Sequence, residues 1–298
     1  MQDATREGVL YGLGAYLWWG LVPLYFRWLG PVEPLDILAH RIVWSAVFLA
    51  ALITLTGRWP ETIRCLTTPT IVLPLAVSAI LVAYNWLMYI VGVYLQIIVQ
   101  ASLGYFILPL VSVLFAMLIF HETLRPLQII AVVVALGGVV RLTWLDGEFP
   151  WLAIALAVSF SAYGMIRKQV EVDGVMGLTV ETFVLLPVAA AYLAFGYVQR
   201  SEVEDVELLG KLALSGIVTA IPLLCFGQAA RRLPFATLGF MQFISPSAQM
   251  LLAITVFDET AKGGWLGYGL VWSALVIFSI DSYLWYHRTE ATEPTKTP

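Results

Sequence analysis

From Cys65 to Phe120 the chain contains no Asp, Glu, Lys or Arg. Water-soluble domains are about a quarter charged, so a stretch this long without charge belongs in hydrocarbon. Coiled as one helix at about 1.5 Å per residue, it is far too long for a single crossing of a ~30 Å bilayer core. Two helices joined by a tight turn near Tyr94–Ile98 are required. The rest of the chain agrees, since 60% of its 298 residues are hydrophobic and only 12% are charged. Charge-free runs recur at Gly8–Phe26, Phe149–Ile166, Leu212–Ala230 and Leu233–Phe257, each long enough to cross a bilayer. The first run is too long for a signal-peptide core and is followed by Arg27-Trp28-Leu29 rather than a small-residue cleavage site, so it is expected to stay as a helix. The fold class is all-α integral membrane.

Apolar runs bounded by Pro, Gly and charge give ten expected spans, at residues 8–29, 34–56, 71–93, 97–120, 126–144, 148–168, 176–199, 208–230, 235–257 and 263–286. Ten crossings put both termini on one side. The ends and loops of that side carry ten Lys and Arg, the other side carries five, and Arg41 lies inside a span. This bias places both termini in the cytoplasm of a cell whose inner membrane holds the protein. The acidic run Glu202, Glu204, Asp205 and Glu207 then reads as a solvated outer loop. The polar tail 289–298, with two prolines, is expected to be disordered.

The two halves match in register. Pro109-x12-Glu122-Thr123 corresponds to Pro246-x12-Glu259-Thr260 at an offset of 137, which also pairs Ser78 with Ser215, Phe106 with Phe243 and Phe120 with Phe257. Residues 1–145 and 146–288 are therefore read as two five-helix repeats. Five is odd, so the second repeat enters the membrane inverted, an arrangement that lets two halves exchange conformations around a central site.

Tyr16-Leu17-Trp18-Trp19-Gly20-Leu21-Val22-Pro23, the His40-Arg41 pair in Ile37–Ser45, and Leu103-Gly104-Tyr105-Phe106-Ile107-Leu108-Pro109-Leu110 with its closing Glu122 resemble the drug/metabolite transporter superfamily, and within it the EamA-type RarD proteins. The resemblance runs from about Gly8 to Tyr286. It implies a permease of the 5+5 kind, with a central cavity lined by the first four helices of each half and the fifth and tenth set outside them. It implies no particular cargo.

Ionisable and polar groups inside spans are the functional candidates, because each is costly unless it meets a partner or a water-filled cavity. His40 and Arg41 lie roughly 10 Å in from the start of the second span, and Asn85 reaches a similar depth. Arg41 can serve as the charge partner of an anionic or carboxylate-bearing solute. It can equally pair with Asp36 or Glu33, leaving His40 and Asn85 to bond each other. Glu181, in the seventh span, and His40 are the candidate proton carriers, being the carboxylate and imidazole able to take up and release a coupling proton. The other reading of Glu181 is a salt bridge to Arg167 or Lys168. Under the repeat, Glu181 and Arg41 fall in opposite leaflets, which argues against their pairing directly in any single state.

Span four presents Ser102, Tyr105, Pro109 and Ser112 at helical spacing, and span nine presents Gln242, Ser245 and Gln249. These stripes, with Trp19 of span one and Tyr163 of span six, read as cavity walls, or as a packing seam of small and polar residues. Pro109 and Pro246 are the hinge candidates. Glu122 is expected to pair with Arg125. Trp28, Trp144, Trp151, Trp265 and Trp285 fall near span ends, where interfacial anchoring accounts for them.

A net charge of −4 leaves no basic field for nucleic acid. Cys65 and Cys225 have no ligand spacing, so no metal and no cofactor are expected. Hydrolase motifs and a nucleotide-binding loop are missing, which argues against an enzyme and against ATP as driver. The expected partners are a small-molecule solute and the lipid bilayer, and the expected role is a secondary permease working by alternating access. A scaffold or sensor without transport, and a channel, are the alternatives.

Overall fold

A computed structural model describes residues 2–30, 32–94, 98–146, 151–199, 206–256 and 265–292. Among these residues every element is a helix: α1 Gln2–Leu29, α2 Pro34–Leu55, α3 Trp59–Thr67, α4 Pro69–Tyr94, α5 Ile98–Leu118, α6 Pro126–Asp146, α7 Trp151–Gln169, α8 Gly174–Gln199, α9 Val206–Arg232, α10 Phe235–Met241, α11 Ile244–Val256 and α12 Trp265–Thr292. Seven of them are long and apolar enough to cross a bilayer, and Gly104–Leu118 of α5 is a shorter apolar stretch. The protein is a multi-pass, all-α membrane protein.

The helices fall on the expected spans with three differences. A short helix, α3, separates α2 from α4; Arg58 precedes it and Trp59 and Pro60 open it. The ninth span is not one helix but two. A proline nitrogen has no hydrogen to give, so Pro246 leaves the Gln242 carbonyl without its helical donor. There α10 closes through tighter bonds, Gln242 N–H to Gly239 O (3.1 Å) and Phe243 N–H to Phe240 O (3.2 Å), and α11 restarts with Pro246 in its first turn, where a missing N–H costs nothing. Pro109 sits at the matching place in α5, which stays continuous. Finally, α12 runs to Thr292, so residues 289–292 of the supposed disordered tail are helical, because the helix simply continues past the last apolar turn. The turn within 95–97, the tail 293–298, Glu202, Glu204, Asp205, Glu259 and Thr260 lie outside the described residues, as does the Ser102 side chain.

Most helix neighbours come from opposite halves of the chain: α1 with α9 and α11, α2 with α8 and α9, α4 with α7 and α8, α5 with α7 and α10, and α6 with α12. Close approach is bought by small residues. At Gly216 of α9 a Cβ would lie 2.4 Å from the Trp44 carbonyl carbon of α2, and the Ser45 hydroxyl donates to the Gly216 carbonyl there at 3.2 Å. Trp28, Trp144, Trp151, Trp265 and Trp285 are all half or more exposed, as ring anchors at helix ends should be.

On the face where α1 begins, ionic contacts join the two halves. Arg232 meets Glu7 at 3.3 Å, Arg125 meets Asp281 at 2.5 Å, and Arg58 pairs with Asp173. Asp173 also caps α8, accepting from the Val175 and Met176 N–H groups at 2.8 and 3.1 Å. His121, at φ 51°, turns the chain after α5 so that the Glu122 carboxylate reaches the start of α10. It accepts from Phe235 N–H at 2.7 Å and Ala236 N–H at 3.0 Å, satisfying two end amides and the helix dipole together. Glu122 does not pair with Arg125, as the sequence suggested, because Arg125 is turned to Asp281.

Two outcomes follow. Glu122→Ala should lower stability by about 1–2 kcal/mol, read as a shift of the detergent-solubilised unfolding curve, with Glu122→Gln losing less. Burial works to raise the Asp173 carboxyl, but the Arg58 guanidinium and the α8 amides outweigh it and hold it below the ordinary aspartate range. A depressed native carboxyl adds stability that is whole above the unfolded value, near pH 4, and is lost as pH falls through the native value. The wild type should therefore lose more melting temperature than Asp173→Asn between about pH 5 and pH 3. Parallel acid profiles would contradict this.

Candidate functional site

Two small cavities lie between the halves, and Trp86 lines both. The first has a volume of about 40 Å3 and is walled by Tyr16, Trp19 and Val22 of α1, Asn85, Trp86 and Tyr89 of α4, Tyr105 and Leu108 of α5, Phe160 of α7, and Gln242, Ser245 and Gln249 at the break before and within α11. The second, of about 50 Å3, is walled by Arg41 and Ser45 of α2, Trp86 of α4, Glu181 and Thr182 of α8, and Thr219 of α9, with apolar neighbours. Binding pockets for organic molecules are usually several hundred Å3, so each cavity takes water-sized occupants in this conformation.

The first cavity is a cage of rings. Trp19 meets Phe160 edge-on at 5.4 Å and Tyr16 at 5.6 Å between centroids, and Tyr89 meets Tyr105 at 5.5 Å. The helix break makes its polar edge: Gln249 Nε2 donates to the Trp19 carbonyl at 3.1 Å, and the Tyr16 hydroxyl donates to the Leu238 carbonyl at 3.3 Å. Asn85 Nδ2 donates across to α7, to Leu156 O at 2.8 Å and Ser159 Oγ at 2.9 Å. Beneath the cavity, Ser112 Oγ bonds Gln242 Oε1 at 3.1 Å and Ser161 Oγ at 2.9 Å. Tyr163 lies lower still, stacked on Phe226 at 5.6 Å.

Arg41 is 3% exposed. Its Nε donates to Thr219 Oγ1 at 2.7 Å, and its Cζ lies 3.3 Å from the Trp86 ring centre, a close cation–π stack. Neither Nη1 nor Nη2 has a hydrogen-bond partner. The pairing with Asp36 or Glu33 is not made. Asp36 accepts instead from the Tyr192 hydroxyl at 3.0 Å.

Arg167 is the second buried guanidinium, and it is held differently. Its Nε lies 3.7 Å from Glu181 Oε1, its Nη2 donates to the Gly174 carbonyl at 3.3 Å, and Ser78 donates to the same Glu181 oxygen. The guanidinium fills a slot that only glycine can leave open, since a Cβ at Gly177 would fall 1.4 Å from Nη1. Lys168 turns away to the Leu233 carbonyl at 2.6 Å. Glu181 makes the expected salt bridge to Arg167.

Trp19, Asn85, Tyr105, Gln242 and Gln249 of the sequence candidates thus share the first cavity, and Arg41 and Glu181 share the second. Arg41 and Glu181 do not pair with each other, as their expected depths implied, although both wall the second cavity. Each lies seven residues into its helix, α2 or α8, so each reaches roughly 10 Å toward the midplane from its own face, and α2 packs on α8. His40 is buried but walls neither cavity, so His40, Arg41 and Asn85 do not meet in one chamber. Ser112 and Tyr163 belong to the packing below. Sequence reasoning missed Trp86, Tyr89 and Thr219. The available signal was that Trp86, beside Asn85 and far from either end of α4, has no interface to anchor. Among the described residues no group of His, Cys, Asp and Glu could hold a metal ion.

Residues 6–144 match the EamA-like transporter family. An uncharacterized transporter of Vibrio cholerae is 44% identical over 286 residues, covering 94% of each chain. Protein RarD of Escherichia coli K12 is 40% identical over 289 residues, covering 96% of this chain and 98% of its own. A chloramphenicol-sensitive protein RarD of Pseudomonas aeruginosa is 30% identical over 284 residues, covering 93% of this chain and 95% of its own. A solved crystal structure at 20% identity, covering 91% of this chain and 96% of that one, superposes with a TM-score of 0.69 and so shares the fold. With buried polar chambers between apolar helices and relatives of this similarity along nearly its whole length, the chain belongs to the EamA-like transporters of the drug/metabolite superfamily, in the RarD family.

Proposed function

We propose that the protein is a secondary carrier that moves a small organic solute across the cytoplasmic membrane by alternating access, with both termini cytoplasmic. The observation that carries this reading is Arg41, a guanidinium buried in the middle of an apolar bundle with two N–H-bearing nitrogens left without protein partners. A charge kept there at such cost marks a binding or conduction path. Its position between chambers suits a solute that arrives and leaves.

Ten crossings arranged as two inverted repeats supply the mechanism. In support, exchanging the halves turns each major neighbour pair into another observed pair: α1 with α9 becomes α7 with α4, α2 with α9 becomes α8 with α4, and α5 with α7 becomes α11 with α1, while α2 with α8 and α6 with α12 map onto themselves. A bundle with that property has a second packing of similar energy in which the two faces trade roles. The conformation here is the one closed on the face where α1 begins, which the Lys and Arg bias makes cytoplasmic. Pro109 and the break before Pro246 are the hinges, and Trp19, Asn85, Tyr105, Gln242 and Gln249 contact the solute. Glu181 carries the coupling proton. Ionised, it holds Arg167 and ties α8 to α7; protonated, it frees Arg167 and loosens that side of the bundle.

Counterflow in proteoliposomes tests the reading, with a panel of labelled small carboxylates and amino acids. Saturable exchange is expected for at least one member, abolished by Arg41→Ala. Glu181→Gln should keep exchange but lose acceleration by an imposed pH gradient. Unsaturable flux would favour a channel, and no flux from folded protein would favour a scaffold or sensor.

A further inference from the structure

We infer that the solute is a planar aromatic monocarboxylate, read by Arg41 and Trp86 at the wall between the two cavities; this deepens the carrier reading and rests on it. Among the unpaired polar atoms bordering the two cavities, donors outnumber the one acceptor, Glu181 Oε2. Arg41 Nη1 and Nη2, Trp86 Nε1 and, in the first cavity, Trp19 Nε1 are buried without hydrogen-bond partners. All four bear hydrogens to donate. Buried donors lacking partners are satisfied by an acceptor-rich group, and a carboxylate matches a guanidinium fork with two parallel bonds.

The same set excludes other charges. No acidic side chain walls the first cavity, so an ammonium there would meet only the field of Arg41. Glu181, in the second, has Oε1 engaged by Arg167 and Ser78 and Oε2 unpaired, but its charge is already met by Arg167. A zwitterion's ammonium would have to compete with Arg167 for that one carboxylate, and a dianion would bring one charge more than the Arg41 guanidinium neutralises.

Shape comes from the rings. Tyr16, Trp19, Tyr89, Tyr105 and Phe160 enclose the first cavity, offering edges and faces to a flat guest. The cavity is too small as it stands, but Trp86 walls both chambers and its indole lies flat over the Arg41 guanidinium. The indole fills the space an aromatic acid would take. Displacing it joins the chambers and exposes the fork in one movement, so Trp86 is the shutter as well as part of the reader.

Equilibrium binding to the full chain in lipid nanodiscs tests this with labelled indole-3-acetate and benzoate, competed by L-phenylalanine, phenyltrimethylammonium, phthalate and cyclohexanecarboxylate. The aromatic monocarboxylates should bind saturably. Phenylalanine, the cation and the dianion should compete at least about tenfold more weakly, and the saturated ring a few-fold more weakly. Arg41→Gln should weaken binding by about tenfold or more. If Arg41→Gln does not fold, Arg41→Lys, which keeps the charge and loses the fork, should show a smaller loss in the same direction. Trp86→Phe should keep carboxylate selectivity while changing affinity. Phenylalanine binding as tightly as the acids, acid binding indifferent to Arg41, or no acid binding by folded wild type each overturns the inference. Acid binding without counterflow would overturn the carrier reading alone, and counterflow of some other solute without acid binding would overturn this inference alone.

Discussion

A guanidinium in hydrocarbon must be paired, solvated or used, and the interior of this bundle is organised by that demand. Among the described residues two arginines are almost wholly buried, Arg41 at 3% and Arg167 at 1% exposure, and they meet it in different ways. Arg167 is set in a glycine-lined slot against a carboxylate and a helix-end carbonyl. Removing one member of such a buried pair typically costs about 3–5 kcal/mol, which makes it a structural fastening whose release has large consequences. Arg41 has one hydroxyl, one ring face and no carboxylate. The first arrangement joins α7 to α8; the second leaves two guanidinium nitrogens without partners, which the proposed solute would satisfy.

The fastening and the open guanidinium are linked through α8. Glu181 walls the chamber that contains Arg41 and also binds Arg167, and eight residues earlier in the chain Asp173 caps α8 and holds Arg58. On the other half, Glu122 caps α10, the helix that ends at the chamber's polar edge. Each cap joins one half of the chain to the other on the same face of the molecule. Opening that face means breaking charge-assisted bonds in near-aqueous surroundings, which is cheap compared with breaking them in hydrocarbon. The proposed carrier would use that contrast, with rigid helices inside and exchangeable ionic contacts at the mouth.

Much of this was legible in the sequence because the bilayer imposes a simple rule: apolar length sets the helices, and charge sets their ends. The 137-residue register of Pro109 with Pro246 and of Glu122 with Glu259 drew attention to the right helices, and Trp19, Tyr105, Gln242 and Gln249 do share a wall. What failed were partner assignments. Glu122 is not with Arg125, because a helix end past four intervening helices of the chain competes better for a carboxylate than a neighbouring side chain already turned to Asp281. His40 does not join Arg41, since adjacent helical residues point about 100° apart. Trp86 was passed over because eleven tryptophans make any one of them look like an anchor until its depth is known. The break of the ninth span was written in Pro246, but the same residue type at Pro109 leaves α5 whole, so composition alone does not distinguish hinge from kink.

The central claim is that the face closed here opens as the two halves trade packings. Spin labels at Arg64 and Glu171, exposed residues of the first and second half on that face, in a chain with Cys65 and Cys225 replaced by alanine, measure this directly. The account predicts two distance populations in nanodiscs, with the longer one gaining weight at low pH in the wild type and dominating in Glu181→Gln at any pH. One narrow distribution, unmoved by pH or by Glu181→Gln, would contradict it.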